Sequence, residues 1–273
     1  MPSLKSIVAQ ALAEDIGRGD ITTEATVPSP TRAIGRLVAR QDAIVAGLDV
    51  AREVFRQMGG TTWRARAKDG DRVRRGQVVA EVKGRARSIL TGERVALNFL
   101  QRLSGVATLT RRFVDAVKGT GAKILDTRKT TPGLRLLEKA AVRAGGGTNH
   151  RFGLFDAALI KDNHIAASES VGVEALRRRG RGFRIEIEAQ TRAQALRFAE
   201  LDIDVLMLDN MKSLRPLVAE IRRIRPKLLI EASGGVTLKT VRAIAKTGVD
   251  WISVGALTHS APAVDFSLDL SFR

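Results

Sequence analysis

Charged residues stand at the ends of several short apolar runs in the second half of the chain. Six runs read ILDTRK, LIKDNH, IEIEAQ, LMLDNM, IEASGG and ISVGAL. Among their end residues are three cations, Arg128, Lys129 and Lys161, and two acids, Glu188 and Asp209. Arginine is suited to bidentate recognition of carboxylates and phosphates, and lysine supplies a point charge. The residue types therefore predict a site for anionic small molecules.

Two more stretches extend the predicted site. His150 and Arg151 add to the cationic set between the first two runs. Glycine-containing turns follow the last two runs, at Ser233-Gly234 and at Gly255. Turns of this kind offer backbone N–H groups to a phosphate. We therefore expect one site that takes a carboxylated substrate and a phosphorylated one.

The two acids indicate a metal ion of a particular kind. Magnesium is commonly held by one or two carboxylates together with substrate phosphates, so Glu188 and Asp209 are candidate Mg²⁺ ligands. The three histidines show no metal-ligand spacing, and His164 and His259 are as readily structural caps as catalytic groups. Neither GxGxxG nor GxxxxGK followed by Ser or Thr occurs, which disfavours Rossmann and P-loop sites.

Repeated strand–helix units must position these polar ends. Strand-like runs occupy residues 123–127, 157–162, 184–189, 205–210, 228–233 and 251–256. Helix-like stretches lie between them, near residues 133–144, 168–179, 191–201, 213–224 and 237–247. The alternation predicts a parallel α/β fold. Six units are too few for an eightfold barrel, so we expect a smaller or incomplete barrel with its site at the carboxyl ends of the strands.

The first part of the chain has a different pattern. Residues 32–90 predict a small β-rich module, with β-like runs IGRLVAR, AIVAG, TTWRARA, VVAEV and RSILTG separated by turn residues. An amphipathic stretch around Ile7–Leu12 comes before it, and helical periodicity follows over residues 91–117. Further on, Gly145-Gly146-Gly147 is typical of the end of a helix.

Composition limits the class of protein. The 273 residues suffice for one large domain or two modest ones, and no run of 18 apolar residues occurs. The absence of cysteine excludes disulfides, thiolate zinc sites and cysteine nucleophiles. The net charge of +17 would suit a polyanion, but the basic residues are spread along the chain and aromatics make up only 4%. We expect a cytoplasmic protein that binds neither nucleic acid nor a membrane.

Longer strings resemble one enzyme family. DTRKTTPGLRLLEKAAVRAGGGTNHRFGL followed by LIKDNHI is similar to the signature region of the quinolinate phosphoribosyltransferases (nicotinate-nucleotide pyrophosphorylase, carboxylating). So are EDIGRGDITTEAT, GERVALNFLQRLSGVATLT, IEIEAQT, VLMLDNM, IEASGGVTL and GVDWISVGALTHSAPAVDFSLDL. The strings cover nearly the full chain in the order of the family. The resemblance implies transfer of phosphoribosyl from phosphoribosyl pyrophosphate to quinolinate with decarboxylation, giving nicotinate mononucleotide, pyrophosphate and CO2 for de novo NAD biosynthesis.

The resemblance also implies an architecture. It implies an N-terminal open-faced β-sandwich over residues 1–106 and an incomplete six- or seven-stranded α/β barrel over residues 107–264. Residues 265–273 are expected to pack back on the first domain. The family assembles at least as a dimer, so a homodimer or a higher homo-oligomer is expected.

Roles for single residues follow from the same resemblance. Arg128, His150, Arg151 and Lys161 would hold the two carboxylates of quinolinate, and Arg94 would reach that pocket from the partner subunit. Lys129 would contact the phosphoribosyl pyrophosphate, while Glu188 and Asp209 would bind Mg²⁺ or the ribose hydroxyls. Ser233, Gly234 and Gly255 would surround the 5′-phosphate, and Lys129, Lys161, Glu188 and Asp209 would be the catalytic groups.

Other interpretations of the function stay open at this point. A paralogous group associated with molybdenum transport shares the fold, but would be expected to differ around NHRFGL and LIKDNHI, which are intact here. A nicotinate-using enzyme would need to recognise only one carboxylate. AKDGDRVRRGQVVAEVKG resembles the core of a biotinyl or lipoyl carrier, yet no lysine stands at an obvious hairpin tip between methionines. The net charge alone leaves a nucleic-acid binder conceivable.

Overall fold

A computed structural model of the chain describes residues 2–167, 172–180 and 182–272. The chain divides into two compact units. The antiparallel unit comprises Met1–Arg111, Thr130–Gly146 and Leu257–Arg273. The parallel unit comprises Arg112–Lys129 and Gly147–Ala256. Each is named for the sheet that it contains.

Among its described residues the antiparallel unit contains six strands and most of the long helices. Its strands are β1 (Arg32–Ala39), β2 (Ala43–Ile44), β3 (Thr61–Ala65), β4 (Arg72–Val73), β5 (Val78–Arg85) and β12 (Phe266–Phe272). Its helices are α1 (Leu4–Ile16), α2 (Ile21–Thr26), α3 (Leu48–Met58), α4 (Ala86–Ala116, whose last turn continues into the parallel unit), α5 (Arg135–Ala144) and α11 (Ala256–His259, whose first residue belongs to the parallel unit).

The main sheet of the antiparallel unit has the strand order β12-β1-β5-β3. The last strand of the chain pairs with β1 along its length, from Ala33 opposite Phe272 to Ala39 opposite Phe266. Helix α3 packs on this unit through a buried apolar face, and the Phe55 ring stacks on Trp63 of β3. The small pair β2-β4 completes the β-rich module that the sequence predicts.

Two elements of this module differ from the prediction. Helix α3 lies where only β-like runs are expected, and its N-terminus is capped from a distance because the Asp69 carboxylate accepts the N–H groups of Gly47 and Leu48. A cap supplied 21 or 22 residues away leaves no local sequence signal. The run RSILTG is helical rather than extended, since α4 follows β5 without a turn. Short apolar runs do not by themselves distinguish strand from helix.

Apart from the ends of α4 and α11, the described part of the parallel unit contains six parallel strands and five helices. The strands are β6 (Lys123–Leu125), β7 (Ala157–Ile160), β8 (Arg184–Ala189), β9 (Val205–Asp209), β10 (Leu229–Ser233) and β11 (Trp251–Ser253). The helices are α6 (Asp162–Ala166), α7 (Val173–Arg178), α8 (Arg192–Ala199), α9 (Leu214–Ile224) and α10 (Val241–Ala245).

The strand order β6-β11-β10-β9-β8-β7 agrees with the incomplete barrel expected from the sequence. Each strand from β7 to β10 neighbours the next one in the chain, and the first strand of this sheet, β6, pairs with its last, β11. This is the order of a barrel in which, among the described strands, only the pairing of β6 with β7 is missing. The predicted mixed fold, with an incomplete six-stranded α/β barrel, is confirmed.

Local signals place most of the helices between these strands. Helix α8 begins with a reciprocal capping box between Thr191 and Gln194, near the predicted start. Helix α7 is shorter than the predicted stretch 168–179, of which residues 168–171 lie outside the described residues. The short helix α6 was not predicted. Gly145 follows the last residue of α5, as the glycine-rich stretch predicts. No helix among the described residues combines the length and apolar character needed to cross a membrane.

Candidate active site

A cavity of about 690 Å³ opens at the carboxyl ends of the strands of the parallel unit. It is lined by Thr127, Arg128, Lys129, His150, Arg151, Leu154, Leu159, Lys161, His164, Glu188, Met207, Asp209, Asn210, Ser233, Gly234, Gly235 and Ser253. The polar residues come from the ends of several strands because parallel strands all deliver their carboxyl ends to the same edge of the sheet. A cavity of this size is typical of a small-molecule site.

Arginine side chains give one side of the cavity a concentrated positive charge. Arg151 is buried, and its Nη1 donates to the carbonyl oxygen of Ala157 at 3.1 Å. Burial lowers the pKa of Arg151, and the nearby Arg128 guanidinium lowers it further. Two guanidiniums that repel each other in a partly dehydrated site favour a ligand with two negative charges.

His150 is held firmly at the base of this cavity. Its backbone N–H donates to the buried Asp126 carboxylate at 2.9 Å, and its Nδ1 accepts the N–H of Arg151 at 2.7 Å. The other ring nitrogen, Nε2, lies 3.1 Å from Oε2 of Glu186 and 3.6 Å from Oε2 of Glu231. Nδ1 is therefore used as an acceptor, while Nε2 faces the two glutamates.

The two predicted metal-binding acids line the same cavity from adjacent strands. Glu188 lies 3.2 Å from the ammonium of Lys161, measured from Oε2 to Nζ. The Asp209 carboxylate accepts a hydrogen bond of 2.8 Å from the side-chain amide of Asn210. Carboxylate oxygens on neighbouring strands, open to a cavity that can hold phosphates, suit the hard Mg²⁺ ion, so the donor set fits the predicted metal.

A tight turn at the end of β10 contributes Ser233, Gly234 and Gly235 to the lining of the cavity. Asn210 adopts φ 55, the only positive φ of a non-glycine residue in the described ranges, and its N–H donates to the carbonyl of Ser233. Gly234 has φ 93, and a Cβ there would collide with the side-chain carbonyl of Asn210. A glycine is therefore required at this position both by its backbone angle and by its neighbour.

Most of the predicted site residues meet in this cavity. Arg128, Lys129, His150, Arg151, Lys161, Glu188, Asp209, Ser233 and Gly234 all line it. Gly255 follows β11 but is not among the lining residues. Arg94 is exposed on α4 and lines a separate cavity of about 300 Å³ in the antiparallel unit, together with Asp20 and Thr91. The roles assigned to single residues by resemblance stay predictions.

The two histidines without an assigned role differ in position. His164 lines the cavity, and its Nδ1 accepts the N–H of Lys161 at 2.9 Å, which is the contact of a structural cap. His259 is exposed in the antiparallel unit, where Nδ1 lies 2.6 Å from the hydroxyl of Ser260.

The sequence interpretation overlooked polar residues that lie beneath or beside the cavity. These are Asn210, Ser253, Glu186 and Glu231. The period of a strand could have found the two glutamates, because Glu186 shares a face of β8 with Glu188, and Glu231 shares a face of β10 with Ser233. No comparable signal marks Asn210, since its unusual backbone angle is set by the turn that follows β9.

Two family models match the chain. The model of the quinolinate phosphoribosyl transferase N-terminal domain matches residues 20–104, and that of the C-terminal domain matches residues 106–269. A relative from Mycobacterium leprae, nicotinate-nucleotide pyrophosphorylase [carboxylating], is 46% identical over 97% of this chain and 96% of its own length. A probable enzyme of the same name from Bacillus subtilis is 43% identical over 98% of this chain and 93% of its own length.

Solved structures give the same result for the fold. The crystal structure of NadC from Streptococcus pyogenes superposes with a TM-score of 0.93 at 41% identity, covering 99% of this chain and 97% of that chain. The nicotinate-nucleotide pyrophosphorylase from Francisella tularensis superposes with a TM-score of 0.91 at 39% identity, covering 98% and 96%.

Proposed function

The chain belongs to the quinolinate phosphoribosyltransferase family, and from this membership we propose how its cavity performs the family's reaction. The enzyme transfers phosphoribosyl from phosphoribosyl pyrophosphate to quinolinate with decarboxylation. The products are nicotinate mononucleotide, pyrophosphate and CO2, in de novo NAD biosynthesis.

The paired guanidiniums of Arg128 and Arg151 carry the assignment of the acceptor. Quinolinate has two carboxylates on adjacent ring carbons, and two adjacent guanidiniums with a lysine nearby match that dianion. Binding would relieve the repulsion that Arg128 exerts on Arg151. In this proposal Lys161 and His150 complete the contact with quinolinate. A substrate with one carboxylate would match this pair of guanidiniums less well than a dicarboxylate does.

The other end of the cavity suits phosphoribosyl pyrophosphate. We assign the 5′-phosphate to the turn at Ser233 and Gly234, with Gly255 as a further contact. We assign the pyrophosphate to Lys129. Glu188 and Asp209 would hold Mg²⁺ or the ribose hydroxyls. When bound, magnesium would supply positive charge that neutralises the leaving pyrophosphate.

The chemistry needs positioning and charge more than a covalent catalyst. The pyridine nitrogen attacks C1 of the ribose as pyrophosphate leaves, so positive charge builds on the sugar, where Glu188 and Asp209 stabilise it electrostatically. The C–O bond to pyrophosphate breaks and the new N–C bond forms. The ring is then a pyridinium, which stabilises the carbanion left when the adjacent carboxylate departs as CO2. A proton added to that carbon completes nicotinate mononucleotide. Holding both substrates in register is worth up to about 7–11 kcal/mol.

We further propose a homodimer or higher homo-oligomer in the cytoplasm, with Arg94 acting in the partner's cavity. The support is that Arg94 is an exposed cation on α4 that does not line the cavity of the parallel unit. The prediction can be tested by mixing an Arg94→Ala protein with a Lys161→Ala protein after partial dissociation. Recovery of activity would support a shared site, because a mixed dimer then contains one intact cavity. Absence of recovery, with exchange shown by mass, would contradict it.

The direct test of function uses purified protein with phosphoribosyl pyrophosphate and Mg²⁺. Quinolinate is the acceptor in one reaction and nicotinate in the other. Nicotinate mononucleotide should form from quinolinate only, with one CO2 per product. Formation from nicotinate alone would refute the dicarboxylate assignment of Arg128 and Arg151. No product from either, with folded protein, would favour the paralogous transport-associated group or a binding role.

A further inference from the structure

A polar cluster lies inside the barrel, directly below the cavity, and the mechanism above does not use two of its members. Glu231 of β10 is fully buried, and Glu186 of β8 is nearly so. One carboxylate oxygen of each glutamate and one ring nitrogen of His150 lie within 4.8 Å of one another. His150 lines the cavity, whereas neither glutamate is among its lining residues.

Two ionised carboxylates in this position would be costly. Neither oxygen of Glu231 has a hydrogen-bond partner among the described residues, and the hydroxyl of Ser253 faces it without reaching hydrogen-bond geometry. A buried carboxylate without hydrogen bonds, beside a second carboxylate, is disfavoured by lost hydration and by repulsion. Glu186 differs from Glu231 in its contacts, because its Oε2 lies 3.1 Å from Nε2 of His150 and Arg151 is close enough to interact with it electrostatically.

From this geometry we infer that Glu231 is a positioning residue that stays a neutral carboxylic acid, while the Glu186 carboxylate, 3.1 Å from Nε2 of His150, orients the imidazole by electrostatic attraction. The cluster then holds the imidazole in one orientation below the substrate. His150 thus presents a fixed surface to the acceptor, and the positive charge that binds quinolinate comes from the arginines and the lysine. The effect on quinolinate binding rests on the function proposed above. The protonation of Glu231 is independent of that function.

The charged groups around Glu231 agree with this assignment. Burial raises the pKa of Glu231 well above the usual range of a glutamate, and the Glu186 carboxylate on β8 raises it further. Ser253 on β11 and Arg184 on β8 act in the opposite direction, with smaller effects.

The proton can be observed directly, without activity. Infrared spectra of the full-length enzyme labelled with ¹³C-glutamate should show the carbonyl stretch of a protonated carboxylic acid at neutral pH. The band should disappear in Glu231→Gln and persist in Glu186→Gln. Absence of the band from the wild-type protein, or its loss in Glu186→Gln alone, would overturn the inference. So would a stoichiometric transition-metal ion in the purified protein that is lost in Glu231→Gln, because a metal would then replace the proton.

The same pair of variants tests the positioning role. Glutamine is close in shape to a neutral glutamic acid, so Glu231→Gln should keep kcat/KM for quinolinate within about threefold of wild type. Glu186→Gln removes the charged group 3.1 Å from Nε2 of His150 and should lower kcat/KM by about tenfold or more, mainly through KM. Two variants of equal activity, whether both impaired or both unimpaired, would contradict the assignment. A protein inactive with quinolinate but showing the infrared band would refute the proposed function and leave the protonation of Glu231 standing.

Unfolding at different pH values gives a third readout. The folded pKa of Glu231 is raised, so the folded state holds a proton that the unfolded chain releases above the usual glutamate range. Stability should therefore decline as pH rises above that range, and this part of the decline should be absent in Glu231→Gln. A variant with the same pH dependence as wild type would show that Glu231 is ionised in the folded protein.

Discussion

Two buried glutamates in the two units of this protein have opposite surroundings. Glu138 of α5 and Glu231 of β10 are both fully buried. Glu138 accepts hydrogen bonds from Nε and Nη2 of Arg102 and from the N–H and hydroxyl of Thr131. Glu231 accepts none among the described residues. A glutamate at the same burial thus has its hydrogen-bonding groups satisfied by an arginine and a threonine in one unit, and lacks hydrogen bonds below a cavity in the other.

The difference shows how a fold separates structural charge from functional charge. Where every polar atom has a partner, as around Glu138, the network specifies the packing of α5 against α4. Where polar atoms lack hydrogen-bond partners, as at Glu231, the folded state is locally destabilised, and the packing of the surrounding sheet compensates for this loss. Such local destabilisation is common at active sites. The strained Asn210 backbone lies at the rim of the same cavity.

The largest effect is expected for a functional charge of the parallel unit. Arg128→Ala should lower kcat/KM for quinolinate by about a thousandfold, because it removes one partner of a dehydrated charge pair with the substrate. Thermal unfolding should change little. Arg52→Ala in the antiparallel unit, an exposed arginine 3.1 Å from Asp49, is the control and should retain full activity. Near-normal turnover of Arg128→Ala would remove this residue from the site.

Loss of the buried charge of Glu138 in the antiparallel unit should affect stability rather than activity. Glu138→Gln leaves the Arg102 guanidinium without its carboxylate and should lower the free energy of unfolding by about 3 kcal/mol, measured by urea denaturation. Glu231→Gln is the control and should cost far less at neutral pH, because it replaces one neutral group by another. An equal loss of stability in the two variants would remove the distinction between the glutamates.

Backbone strain in the parallel unit gives a smaller effect. Gly234→Ala places a Cβ against the Asn210 side chain at φ 93, so KM for phosphoribosyl pyrophosphate should rise by about tenfold. Gly235 also has a positive φ, but no atom lies within 4 Å of the Cβ it would carry. Gly235→Ala should therefore have the weaker effect. A stronger effect at Gly235 would indicate that the collision with Asn210 is irrelevant to phosphate binding.

The smallest effect concerns an ion pair at the surface of the antiparallel unit. Hydrogen bonds from Arg56 lower the pKa of Glu53 to about 2, so its stabilisation is present above the usual glutamate pKa and is lost as pH falls towards about 2. Glu53→Gln should cost about 1 kcal/mol or less at neutral pH, because the Arg56 side chain is exposed. The difference from wild type should vanish on acidification. A pH-independent difference would mean that packing rather than charge is responsible.

Much of the parallel unit could be predicted from the pattern of the chain. The six apolar runs correspond to β6 to β11, and the run 184–189 coincides with β8. Such runs are informative because strands covered on both faces must be apolar and must alternate with helices. The antiparallel unit was predicted less well, since α3 takes its cap from Asp69 far along the chain and α4 starts with an apolar run that is equally compatible with a strand.

The sequence by itself determined which residue types face the carboxyl ends of the strands, because strand period and polarity place Arg128, Lys161, Glu188 and Asp209 there. Only the tertiary structure decided which of these groups touch, such as Lys161 with Glu188, and which ring nitrogen of His150 faces Glu186. It also decided that Glu231 accepts no hydrogen bond from the part of the chain that the structure describes. Charge and periodicity are properties of the chain, but the cost of a buried carboxylate depends on neighbours that only the closed sheet brings within a few ångströms.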